Sequence, residues 1–317
     1  MRGGPVHVHP PALIHKPIRD GLTLIELAVV LALLGLIGCV VGSLLVRQQR
    51  FYRASSELLQ TREGVRDALE VLATDIRGAA TADTVRLLAD SAIELFSALG
   101  SSVVCQLNGL TEVGLSPSTP GSNSRLTSFA TQPDTGDLAL FHVQLDSSEE
   151  WERHRIAGFS SRALDAACPQ ASGFSAAGDA PNGAYVLTLR EPLTPGVHPG
   201  TPVRFTRRGR YSLYSASDGE WYLGYRRCNA IGSACAAIQP LSGPYRSYSS
   251  NRSATGILFQ YFDATGASMG AGSSALDLAR VDIIARAQSH QQLLIEGGVV
   301  RPADSGTVSV SLRNRAP

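Results

Sequence analysis

The chain has 317 residues and sets 28 Lys plus Arg against 27 Asp plus Glu, a formal net charge of +1. That length allows one large or two modest domains, and the balanced charge argues against a protein that binds nucleic acid by electrostatics. With 31 Gly, 17 Pro and only 6% aromatic residues, the composition disfavours a helical bundle and favours many turns and short strands.

Residues 1–21 form a basic leader carrying Arg2, Lys16 and Arg19 with His7, His9 and His15. Pro5, Pro10, Pro11 and Pro17 break any helix there. An ordinary secretory signal would place its apolar core before the cleavage site and end it in small residues. Here the apolar run comes afterwards, over residues 22–46, and Glu26 is its only charge. About 20 such residues cross a bilayer as a helix. A carboxylate inside the run needs a cationic partner or a neutral state, which marks Glu26 as a functional residue. The plainer alternative is a glutamate that snorkels to the headgroups from near the helix start. Gly35, Gly38 and Gly42 keep one side of the run small, and Gly38-x-x-x-Gly42 suits close approach of another helix. Glycine is also tolerated in membrane helices without such a role. Lys16 and Arg19 before the run are balanced by Arg47, Arg50 and Arg53 after it, so charge does not set the orientation.

No proline interrupts residues 47–77. Phe51, Leu58, Val65 and Leu72 recur every seventh position, with Leu69 and Ile76 alongside and charged residues between. The spacing predicts an amphipathic helix with a narrow apolar stripe, suited to packing on a sheet. Continuous from residue 22 to 77, it would be about 85 Å long. Gly64 is a local cost, and Gly78-Ala-Ala begins the exit.

Past residue 81 the pattern changes to short runs bounded by turns. Strands are expected at 93–98, 102–107, 137–144, 185–190, 203–206, 211–216, 220–226, 256–262, 280–287 and 307–312. Asp218-Gly219 reads as a hairpin turn and Asp263-Ala-Thr-Gly266 as another tight turn. Residues 117–124 and 171–183 read as loops. No βαβ rhythm appears, so the sheet is expected to be mostly antiparallel. Cys39 lies in the apolar run. Cys105, Cys168, Cys228 and Cys235 allow three pairings, among which sequence alone does not choose. Cys228 and Cys235 enclose a short loop and are the easiest pair to close, leaving Cys105 with Cys168; four reduced thiols are the alternative. No C-x-x-C pair and no His at ligand spacing points to zinc.

Arg19-Asp-Gly-Leu-Thr-Leu-Ile-Glu26 with the apolar run behind it resembles the prepilin signature of type IV pilins and type II secretion pseudopilins. The resemblance implies that a prepilin peptidase cuts after Gly21 and methylates the amine of Leu22, which stands where Phe is usual. It implies that Glu26 meets the free amine of a neighbouring subunit and sets the register of a filament. Leu72-x-x-Asp75-Ile-Arg77 is similar to the L-x-x-D-[IL]-R of PilW-like minor pilins and GspJ-like minor pseudopilins. Weaker hairpin and aromatic patterns at 210–226 and 256–284 also look like that group. The implied fold is α+β and pilin-like: leader 1–21, membrane or filament-core helix 22–46, amphipathic helix 47–80, and a β-rich head 81–317. The implied function is a minor pilin of a type IV pilus, with a minor pseudopilin of type II secretion as the alternative. The implied partners are the prepilin peptidase, other major and minor pilins or pseudopilins, the inner-membrane assembly platform, and the bilayer before assembly. The head would lie outside the cytoplasm, where cysteines oxidise. No cofactor, metal or enzymatic activity is implied.

Several segments match chemical motifs. Asp134-Thr-Gly136 is half an aspartic-protease motif without its second carboxylate and reads as a loop into a strand. Gly266-Ala-Ser-Met-Gly270 matches G-x-S-x-G, with Asp277 or Asp282 and then His290 in order, but a flexible loop replaces the helix an elbow needs. It leaves a signal-anchored extracytoplasmic hydrolase as a distant alternative. Asp146, Glu149 and Glu150 are clustered oxygens of the kind calcium takes, or a solvated loop. Tyr211, Tyr214, Trp221, Tyr222 and Tyr225 with Arg207, Arg208, Arg210, Arg226 and Arg227 are either a binding surface or cross-strand pairs in a sheet.

Overall fold

A computed structural model of the chain describes residues 23–79, 87–118, 126–145, 148–270, 273–295 and 298–312. They comprise one long N-terminal helix and a large antiparallel sheet, an α+β chain. Helix α1 (Leu24–Gly78) is unbroken. The chain divides into two units between Ser55 and Ser56.

In the first unit the helix is apolar and free of core contacts. Its most apolar window is 0% buried, and Leu24, Leu31, Leu36 and Leu45 are all more than half exposed. By length and composition this stretch can cross a membrane. Phe51 is 68% exposed, so it lies outside the stripe that the seven-residue spacing suggested.

In the second unit the helix is seated. Thr61, Val65, Ala68, Leu72, Ala73 and Ile76 are its buried residues. Thr61, Val65, Ala68, Leu72 and Ile76 recur at three- and four-residue steps, with Ala73 beside Leu72, as one face of a 3.6-residue helix requires. That face packs against Ile93, Tyr211, Leu213, Leu223, Tyr245, Phe259, Ile283 and Val310 in the largest core cluster.

The sheet contains more strands than the sequence suggested. Strands β1 (Leu87–Ala89), β2 (Ala92–Leu107), β3 (Glu112–Leu115), β4 (Ser128–Phe129), β5 (Leu138–Leu145), β6 (Ser148–Arg162), β7 (Ala184–Leu189) and β8 (Pro202–Ser215) come first. Then follow β9 (Trp221–Arg227), β10 (Gln239–Tyr245), β11 (Ile257–Phe262), β12 (Ser268–Met269), β13 (Arg280–Gln288), β14 (Leu293–Ile295), β15 (Gly298–Val300) and β16 (Ala303–Ser311). The strands expected at 93–98 and 102–107 are one strand, kinked where Gly100 shifts the register against β8. Gly100 has φ +156, and a Cβ there would lie 2.1 Å from the Ser128 carbonyl. Likewise 203–206 and 211–216 are both parts of β8.

Pairings run β2–β3–β7–β6–β5–β8 and return from β8 to β2. The ring is a closed six-stranded antiparallel barrel, which has no free edge along its closed length. Leu99, Val104, Val113, Leu115, Phe141, Ile156, Leu187, Val203 and Phe205 form its core. Strands β2 and β8 are long enough to serve twice. Their other ends pair at Ile93 with Tyr211 and carry on through β9, β10, β13 and β11 into the sheet that seats the helix. The barrel hinges on β6, whose Ser-Glu-Glu-Trp-Glu-Arg-His-Arg start hides strand character behind charge.

The turn at Asp218-Gly219 joins β8 to β9 with Gly219 at φ +81, as expected of a hairpin. Residues 171–183, expected as loop, carry short 3-10 turns at Gln170–Ser172 and Ala177–Asn182, after a four-residue helix α2 (Leu164–Ala167).

Candidate assembly segment

Gly21 and Leu22 lie outside the described residues. Thr23 precedes the first helical turn, and Glu26 closes on it. The Glu26 Oε2 atom accepts from the Thr23 backbone N–H at 2.9 Å and from its hydroxyl at 3.0 Å; the Thr23 hydroxyl oxygen accepts from the Glu26 N–H at 3.3 Å. This is a capping box, Thr-x-x-Glu, which satisfies donors that a helix start otherwise leaves open. Thr23-x-x-Glu26 ahead of an apolar run is the sequence signature of such a cap. Glu26 thus has a local structural role besides any intermolecular one, and its Oε1 atom takes no part in the box.

Gly35, Gly38 and Gly42 have open space where a Cβ would stand. They leave a stripe of backbone uncovered within a fully exposed apolar segment. Ser43 bonds its hydroxyl back to the Val40 carbonyl at 2.8 Å, so the polar group is satisfied inside the helix.

Two polar contacts fasten the seated part of the helix to the sheet. Tyr245 donates its hydroxyl to the Gly64 carbonyl at 2.8 Å. Tyr211 donates to the Asp75 carboxylate. Burial raises the Asp75 carboxyl above its ordinary range, and the Tyr211 hydrogen bond opposes that shift. Burial, with the negative charge of Asp75, pushes the Tyr211 phenol far up. Opposite the helix, Gly306 of β16 lets Val65 and Leu69 come close: a Cβ on it would lie 2.9 and 2.8 Å from their methyl groups. Leu72 and Ile76 are 0% and 1% exposed. The Leu72-x-x-Asp75-Ile motif is therefore one part of the helix face that grips the sheet, with Val65, Ala68 and Leu69 before it.

Both expected disulfides are formed, Cys105 with Cys168 and Cys228 with Cys235; Cys39 is a free, exposed thiol. The first fastens α2 onto the barrel beside Leu164, Ala184 and Val186. The second closes a loop over a buried ion pair. Arg208 reaches Glu94 at 2.5 Å, both side chains nearly inaccessible, and donates to the carbonyls of Asn229 and Gly232 in that loop. Glu94, Cys228 and Cys235 lie close enough to suggest metal ligands. Their donors are already committed, the sulfurs to each other and the carboxylate to Arg208.

The residues of the Asp-Thr-Gly and G-x-S-x-G motifs have these contacts in the fold. Asp134 accepts from Arg227, while Asp137 is buried between Arg207 at 2.7 Å and Arg227 at 3.0 Å. Ser268 is in the short edge strand β12, Asp277 in a 3-10 turn, Asp282 pairs with Arg280, and His290 lies against Tyr222. Among the described residues no hydrogen bond joins Ser268 to those aspartates or to His290. Glu149 and Glu150, expected in a loop, are in β6, and Glu149 meets His142; Asp146 lies outside the described residues. Tyr211 with Tyr225 and Tyr214 with Tyr222 are cross-strand pairs, their rings 5.1 and 6.2 Å apart.

Comparisons with protein-family models, with curated proteins and with solved structures find no match.

Proposed function

We propose that this chain is a minor pilin subunit, made as a membrane prepilin and assembled into, or at the tip of, a type IV pilus. The observation that carries the reading is the junction at Gly21 to Glu26. In the sequence a basic leader ending in glycine precedes, by a few residues, an unbroken helix whose first half is apolar and wholly exposed. Such a surface has no place in water and must lie in lipid or among other helices. After cleavage by a prepilin peptidase, the Leu22 amine and the Glu26 carboxylate would be opposite charges near one end of every subunit. Pairing them between neighbours cancels both in an apolar filament core. Gly35, Gly38 and Gly42 allow close helix packing there. The β-rich part supplies partner surfaces. The test is Gly21→Ala in the full-length chain: the mobility shift of maturation disappears, and normal processing of that variant would sink the assignment.

A further inference from the structure

The sheet that seats the helix ends in two edges of unequal length. On one side it stops at β12, a strand of two residues. On the other side β16 pairs only with β13, from Ala303 opposite Gln288 to Ser311 opposite Arg280, with no shift of register. The Ser289 N–H donates to the Pro302 carbonyl and the Leu312 N–H to the Ala279 carbonyl. The even-numbered residues of β16 therefore bond to β13. The N–H and C=O groups of Ala303, Ser305, Thr307, Ser309 and Ser311 point away from the sheet. Among the described residues only one of these groups is engaged, the Ser305 N–H, which donates to the Asp304 carboxylate at 2.9 Å. Natural edge strands are blunted by shortness, lysine, proline or a bulge. From residue 305 to 311 β16 reads Ser-Gly-Thr-Val-Ser-Val-Ser and carries no such device.

Beside this edge lies a groove of about 500 Å³ between Val308 and the seated helix. Leu69, Ala73 and Val308 make its apolar lining, and Arg62, Arg66 and Arg77 outnumber Glu70 along it. Arg62 meets Asp304 at 3.5 Å, whereas Arg66 and Arg77 make no ion pair among the described residues. Every one of these residues belongs to the unit that starts at Ser56. A strand added to β16 would bond to the backbone of Thr307 and Ser309 and turn every second side chain toward the helix. Small apolar side chains suit the lining, and acidic ones suit the arginines. A second copy of β16 is a poorer match, because pairing about a two-fold axis turns two arginine rims toward each other, and like charges repel.

We propose that the β16 edge and its groove are a docking site for an extended segment of another protein, held by β-strand addition. That segment alternates small apolar residues and carries acidic ones. Backbone hydrogen bonds supply its affinity and the alternate side chains its specificity. The inference stands on the Ser56–Pro317 unit and does not depend on the pilin reading.

The test titrates the full chain in detergent into the amidated peptide Asp-Val-Ser-Val-Thr-Val-Asp with fluorescein at its N-terminus, and into the same peptide with Lys for Asp. Binding is read by fluorescence anisotropy. Thr307→Pro removes an outward N–H and keeps the bonds to β13, the kind of edge position at which proline is tolerated. Its urea midpoint checks that it folds. Arg66→Glu with Arg77→Glu changes only exposed side chains. The acidic peptide should bind about tenfold or more tightly than the basic one. Thr307→Pro and the paired arginine variant should each weaken it by about tenfold or more. Amide exchange at Thr307 and Ser309 should slow in its presence. Failure of the acidic peptide to bind, equal binding of the two peptides, full binding to a folded Thr307→Pro, or unchanged exchange at 307 and 309 overturns the site. If Thr307→Pro does not fold, the arginine variant and the exchange decide. A dimer of the chain that slows exchange at 307 and 309 without peptide makes a second copy the occupant and overturns the proposal.

Discussion

Replacing Glu26 by glutamine separates the two roles that this residue can have. The carboxylate closes a capping box with Thr23 through contacts at 2.9 and 3.0 Å. Glutamine also serves at that position of the box, so Glu26→Gln keeps the helix start and removes only the charge. Thr23→Ala does the reverse. Losing a cap costs about 0.5–2 kcal/mol, which at about 1.4 kcal/mol per decade is at most a factor of roughly 30. Leaving one charge unpaired in an apolar helix core costs about 2.5–3.5 kcal/mol, a factor of roughly 60 to 300. If Glu26 pairs with a neighbour's amine, Glu26→Gln lowers the filament fraction sheared from cells by about two orders of magnitude. Helix content, read by circular dichroism of the detergent-solubilised chain, stays as in the parent. Thr23→Ala gives the milder assembly defect. Wild-type assembly of Glu26→Gln together with failure of Thr23→Ala would refute the charge-pairing argument and leave Glu26 as a helix cap.

Leu72→Ala empties a fully buried site under the helix and should lower unfolding stability in urea by about 2–5 kcal/mol, whereas Phe51→Ala, at an exposed site, should leave it unchanged; equal effects would disprove the seat. The disulfide between Cys105 and Cys168 closes a separation of 63 residues, that between Cys228 and Cys235 only 7. On chain entropy the paired alanine variants should lose about 4 and about 2 kcal/mol respectively, measured as midpoints in denaturant. Asp75 binds its proton more tightly in the folded state than its ordinary 3.8 allows. Its contribution to folding is therefore fullest below that value and is lost as pH rises through the raised folded one. Asp75→Asn keeps an acceptor for Tyr211 and does not titrate. Its stability relative to the parent should rise as pH is raised above the ordinary 3.8, and a flat difference would contradict the assigned burial.

Much of the helix was legible because its signals are local. The proline-free run, the apolar stretch and the placement of Leu72 and Ile76 all follow from one-dimensional spacing. Phe51 fitted the seven-residue spacing and yet is exposed, because a spacing cannot say where the sheet it packs on begins. Strands with alternating apolar residues, such as β13, were also legible. β6 was not, since Glu149, Glu150, Glu152 and Arg153 read as a solvated loop; the strand is fixed by pairing with β5 and β7, far away in sequence. The closed barrel was invisible for the same reason: β2 and β8 pair across more than a hundred residues at Glu94 and Arg210. The buried pair of Glu94 with Arg208 and the Asp137 cluster have no sequence signature at all. The capping box at Thr23 does have one, Thr-x-x-Glu ahead of an apolar run.

The N-terminus of the protein extracted from membranes tests the central claim most directly. Mass spectrometry should find a chain that starts at Leu22 and carries a methyl group on its amine. A chain still bearing Met1, or one cut at any bond other than that between Gly21 and Leu22, would contradict the pilin assignment.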